Sequence, residues 1–246
     1  MLKLMKYEFR KTTFLKLILL LVTVVSEAVF LTGVFSNKRN LLAAGIFSIF
    51  MCISIGIFCL GVASIIALYR DLNTKQSYML FLTPHSSYEI LGAKVLENGI
   101  SLIIAGVLFT ILVAVDVNVA THHIGGLTDV MNLVSSVLAL NWSLVFTPTQ
   151  IIFFFFGFLS SWCVYILNAD LAVILSSSVL AGKRGNAVVS LIIFIALSSL
   201  FGVIYSHLPS MDSSQLTFIL RVLASFVTAA ILYFISGWIM ENKLSV

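Results

Sequence analysis

Six stretches of this chain are almost purely apolar, and each is long enough to cross a lipid bilayer. They cover roughly residues 14–35, 41–69, 95–115, 148–181, 187–205 and 218–240. A hydrocarbon core of about 30 Å takes about 20 helical residues to cross. Lipid offers no partner to the backbone, so a span must satisfy its own N–H and C=O groups, and a helix does so within one segment. The runs therefore predict an all-α membrane protein with six transmembrane helices. Composition agrees, because only 10% of the 246 residues are charged and 60% are hydrophobic. A soluble domain would carry about 25% charged residues. With 3 prolines and 14 glycines there is no linker-like tract, and residues 1–246 read as a single transmembrane domain.

The net charge of +4 does not point to nucleic acid, because the basic residues sit in short clusters between the apolar runs, where anionic headgroups attract them. With the amino terminus inside, the cytoplasmic side carries Lys3, Lys6, Arg10, Lys11, Lys16, Arg70, Lys75, Lys94, Lys183, Arg184 and Lys243. The outside carries only Lys38, Arg39 and Arg221. That bias predicts a multi-pass protein of the cell membrane with both termini cytoplasmic. Lys38 and Arg39 are the exception, and a re-entrant first pair of helices is the alternative that accounts for them. Leu2, Met5 and Phe9 share one helical face, beside Lys3, Lys6 and Arg10. Residues 1–12 thus suit an interfacial helix lying on membrane lipid, or a basic flank that sets topology. Cys52, Cys59 and Cys163 lie within apolar runs without a paired spacing, which supports neither disulfides nor a metal site.

The connections are informative in three places. Residues 70–94 are polar apart from a short apolar patch too brief to span, and are placed in the cytoplasm. Residues 182–186 form a basic turn on the same side. Residues 116–147 are placed outside, with a turn at Gly125-Gly126 followed by a helical pattern. There Asp129, Asn132, Ser136 and Ser143 share one face, and Leu127, Val130, Val134 and Leu138 another, as in a surface or re-entrant helix.

No catalytic motif is present, so the chain is expected not to be an enzyme. Gly182-Lys183-Arg184 resembles the end of a phosphate-binding loop, but no Ser or Thr follows the lysine and Ser177 stands where the first glycine belongs. There is no HExxH or GxSxG signature. His122 and His123, with Asp116 and Asp129, could make an outer metal site, but ligands must converge in space and adjacent histidines on a polar loop usually face water, so this chain is expected to bind no metal or cofactor. Glu27 and Asp170 stand out, because an ionisable group inside a span costs about 2.5–3.5 kcal/mol and normally faces a bundle interior or wet cavity. They are candidates for a polar translocation path. The other reading is a structural hydrogen bond between helices, for Asp170 with Asn168 or the Ser176-Ser177-Ser178 cluster.

The segment between the second and third spans reads Tyr69-Arg70-Asp71-Leu72, then Ser77-Tyr78-Met79-Leu80-Phe81-Leu82-Thr83-Pro84, then Tyr88-Glu89-Ile90-Leu91-Gly92-Ala93-Lys94. It resembles the permease family of type-2 ABC exporters, which carry a similar Tyr-x-x-x-Leu-Thr-Pro block followed by Ile-Leu and a lysine opening the third span. The basic amino terminus is similar to that family's elbow helix. The resemblance implies a permease pairing with a second copy, as homodimer or heterodimer, and with a separate ATP-binding cassette ATPase that holds the ATP. It also implies a short cytoplasmic coupling helix seated on that ATPase, with Tyr78, Phe81, Leu82, Pro84, Ser87, Tyr88 and Glu89 as its coupling residues. The residues agree, since Thr83-Pro84 suits a helix start and Ser86-x-x-Glu89 a capping box. One departure concerns the outer face: members of that family place extracellular helices between the fifth and sixth spans, where this chain has a short loop. The alternatives from other classes are a membrane-embedded enzyme and a non-transporting sensor or immunity protein.

Overall fold

The structure is a computed structural model, which describes residues 2–36, 38–73, 86–124, 126–138, 148–180, 185–209 and 214–244. The described residues are helical, in the order α1 (Leu2–Phe35), α2 (Arg39–Asn73), α3 (Ser87–Ile124), α4 (Leu127–Leu138), α5 (Pro148–Leu180), α6 (Asn186–Ser206) and α7 (Ser214–Ile239). A π-helical turn, Met240–Leu244, follows α7. All but α4 are long and apolar enough to cross a membrane, which makes six candidate spans. At 1.5 Å per residue, α1, α2 and α3 each exceed about 50 Å, well beyond a hydrocarbon core of about 30 Å. Leu17, Leu21, Ile104, Leu191, Ile195 and Leu223 are among many large side chains left exposed. In water such a surface would aggregate; in a bilayer it faces lipid tails.

The chain divides into two compact units, and α1, α2 and α3 contribute residues to each. One unit comprises Arg10–Val62 and Ile100–Val145. Its basis is the antiparallel hairpin of α1 and α2, which meet almost backbone to backbone. A Cβ on Gly33 would come within 2.6 Å of the Leu42 nitrogen, and one on Gly45 within 2.5 Å of the Phe30 Cα. The same register continues to Thr23 and Cys52, whose Oγ1 and Sγ lie 3.2 Å apart, and to Gly56 against Leu19. Association in lipid gains little from the hydrophobic effect, so small residues that allow close van der Waals packing hold such a pair together. Phe30, Val34, Leu42, Ile49, Ala120 and Val130 form the buried cluster of this unit.

The other unit comprises Met1–Phe9, Ala63–Gly99 and Phe146–Val246. Its column is α5, which packs against α6 and α7 and is buried on every side from Ile166 to Ile174. One cluster joins Leu68, Leu72, Ile90, Leu91, Val173, Ile174 and Met240; a second joins Val164, Leu167, Leu171, Ala229 and Leu232. Gly185, at φ 106°, opens α6 in the left-handed conformation that glycine adopts without steric cost, within the predicted basic turn.

Several boundaries differ from expectation. Residues 2–12 are not a separate interfacial element: α1 runs unbroken from Leu2, with no Gly or Pro before Gly33 to interrupt it, and Glu8 and Thr12 are buried. Residues 87–90 are the first turn of the long helix α3 instead of part of a short coupling helix. The expected helix start itself is present, since Ser86 Oγ accepts the Glu89 N–H at 3.2 Å. Residues 116–124, expected in the outer loop, continue α3. Polar side chains there end the hydropathy signal without interrupting the i→i−4 ladder. The expected helix after Gly126 is α4, with Val130 buried and Asp129, Asn132 and Ser136 exposed, as its pattern requires.

Candidate functional site

Buried ionisable groups occur in both units, and within each they meet from helices distant in sequence. Lys94, near the start of α3, is 2% exposed. Its Nζ lies 3.0 Å from Glu8 Oε2 on α1 and 2.5 Å from Asp71 Oδ2 on α2. Both partners are themselves buried. Removing a charge from water costs several kcal/mol, which only close opposite charges and hydrogen bonds offset. The cluster therefore ties three helix ends to one point. Lys94 also acts electrostatically on Asp170 of α5, which is 1% exposed and whose oxygens accept no hydrogen bond among the described residues.

A second polar chain lies in the same unit. The Asn73 side-chain amide at the end of α2 donates to Ser177 Oγ of α5 at 3.0 Å, and the Asn186 side-chain amide at the start of α6 donates to Asn73 Oδ1. The expected partners of Asp170 are thus otherwise engaged: Asn168 donates to Ser198 at 2.8 Å, Ser177 accepts from Asn73, and Ser176 and Ser178 bond their own helix backbone. Helix geometry explains this. A residue two positions away points to a different face, and residues six to eight positions away lie about two turns off.

Tyr88 sits against α7. Its ring lies over Gly237, where a Cβ would collide with the ring carbons, and its carbonyl accepts the Tyr233 hydroxyl at 2.7 Å. Its ring centroid is 6.2 Å from that of Tyr233 and 6.4 Å from that of Phe234. Of the expected coupling residues, Ser87, buried, and Tyr88 and Glu89, half-buried, are described; Tyr78, Phe81, Leu82 and Pro84 fall outside the described residues. Glu27 belongs to the first of the two units and Asp170 to the second.

Glu27 instead meets a partner that hydropathy had assigned to a loop. Its carboxyl lies near that of Asp116 on α3, a residue 5% exposed, close enough for the two to interact electrostatically. Asp116 lines an apolar cavity of about 320 Å³ enclosed by α1, α2, α3 and α4. His122, His123 and Asp129, grouped with Asp116 in the sequence, are all exposed, and no metal-binding group of three His, Cys, Asp or Glu occurs among the described residues. A separate cavity of about 440 Å³ lies among α5, α6 and α7, bordered by Asn168, Ser198, Tyr205, Arg221 and Ser225.

Six apolar helices enclosing paired and clustered charges define a multi-pass, all-α membrane protein. Compared with protein-family models, with curated proteins and with solved structures, the chain matches none.

Proposed function

We propose that this chain is the membrane permease of an ATP-driven exporter, coupled to a separate ATPase through the segment between α2 and α3. The observation that carries the reading is an ion pair that joins the helices on either side of that segment. Asp71 and Lys94, near the ends of the stretch that resembles the exporter permeases, form a buried ion pair. Glu8 joins them from the amino-terminal turns, the part of the chain that resembles the family's elbow helix. A segment pinned at its base in this way can carry a push from a bound ATPase into α1, α2 and α3 together. Without the pin, a force on the connecting residues would be absorbed by local bending. Tyr88 extends the same base to α7 through Gly237 and Tyr233.

The test is co-purification of an ATPase from the source membrane with the tagged chain, followed by ATP hydrolysis in the complex. The parent should retain an ATPase. Gly237→Leu, which displaces the Tyr88 ring without altering residues 74–85, should keep the ATPase but lower substrate-stimulated hydrolysis. A parent chain that retains no ATPase would count against the exporter reading.

A further inference from the structure

We propose that the cavity among α1, α2, α3 and α4 binds a hydrophobic organic cation, its apolar body inside the cavity and its positive charge against Asp116 in the cavity wall, with the Glu27 carboxyl near Asp116 adding to the negative field. Three observations combine. The cavity volume of about 320 Å³ is that of a small-molecule site. Apart from Asp116, the lining side chains are apolar, among them Phe30, Ile49, Ile53, Val117 and Val134. Asp116, the one acidic lining residue, has a buried Oδ1 that accepts no hydrogen bond among the described residues, and the same holds for Oε2 of Glu27, which is near Asp116 but does not line the cavity.

The chemistry narrows the ligand. Buried carboxyl oxygens without donors are costly, and a cavity with apolar walls gives water too few partners to remain. A bare metal cation would need about six oxygen ligands, and two carboxyls cannot replace that hydration shell. An anion would be repelled, and a neutral hydrophobe would leave the carboxyl oxygens without partners. An alkylammonium supplies N–H donors and a charge at one end, and an apolar body that matches the walls at the other. As a substrate site this inference rests on the exporter reading; as a binding site it stands on the cavity alone, so its test needs no ATPase.

The experiment uses the full chain in nanodiscs of uncharged lipid and measures binding of two probes by calorimetry. One is 4-phenylbutylamine, an ammonium ion at neutral pH; the other is 4-phenylbutan-1-ol, of similar length and uncharged. The amine should bind saturably with one site per chain and at least about tenfold more tightly than the alcohol. Asp116→Asn should weaken the amine by roughly thirtyfold, in line with loss of one buried charged partner, and Glu27→Gln should weaken it too. Val134→Phe, which fills the cavity and leaves both carboxyls, should also weaken it, whereas Asp129→Asn on the exposed face of α4 should not. If Asp116→Asn fails to fold, the Glu27 and Val134 variants carry the test. Equal affinity for the two probes would mark a lipid slot and overturn the proposal. Undiminished amine binding in the folded Asp116 variant, or no saturable binding by the parent, would overturn it as well.

Discussion

At the scale of single residues, Lys94 is the position on which most rests. Its ammonium is 2% exposed and is held by carboxylates from two other helices. Lys94→Met strands both Glu8 and Asp71, and breaking a buried ion pair from one side typically costs about 3–5 kcal/mol. The variant should show a markedly lower thermal midpoint, followed by tryptophan fluorescence in detergent, while Lys94→Met combined with Asp71→Leu should recover part of the loss. A smaller effect belongs to Tyr233, whose hydroxyl donates to the Tyr88 carbonyl at 2.7 Å. Tyr233→Phe removes that bond but keeps the ring, so it should cost about 1 kcal/mol. An unchanged midpoint in the Lys94 variant would show that the buried cluster adds no net stability.

Among the elements, the α1–α2 hairpin makes the most demanding contacts. Neither Gly33 nor Gly45 has room for a Cβ against the facing backbone. Gly45→Leu should force the helices apart and lower the midpoint more than Gly106→Leu on α3, where a Cβ meets nothing within 4 Å. The register itself is open to chemistry. Thr23 Oγ1 and Cys52 Sγ are 3.2 Å apart, so Thr23→Cys should oxidise readily to a disulfide with the native Cys52. Loss of two titratable thiols reports the bond, and Gly45→Leu should suppress it. Failure of the cysteine pair to oxidise in the parent background would contradict this packing. The α4 helix stands apart from the spans in length and pattern: it sets Val130 and Val134 toward a cavity that also contains Asp116.

For the whole molecule the open property is orientation, which charge bias alone predicts. In a variant lacking Cys52, Cys59 and Cys163, single cysteines at Ser77 and Lys183 should react only after the membrane is permeabilised. A cysteine at Thr128, which is exposed on α4, should react with an impermeant reagent in intact cells. Labelling of the Ser77 position from outside would invert the topology, and with it the site proposed for the ATPase.

The sequence alone determined the helices and roughly where they run, because apolar run length measures how much chain must be shielded from water. It also marked the amphipathic α4 and the Ser86 cap, both of which depend on spacings of a few residues. Glu27 and Asp170 were recognisable as costly for the same local reason, since each is a carboxylate among apolar neighbours. What these groups meet was decided by tertiary structure. Lys94 joins Glu8 across 86 positions, and Asp116, which looked like the first residue of a loop, is a buried residue of α3 facing Glu27. Hydropathy averages over a window and ends a span where polar residues gather, whereas the helix continues as long as its backbone bonds do. Pairing depends on which faces of long helices are packed together, and that is set by close contacts such as Gly45 on Phe30, which carry no periodic signal along the chain.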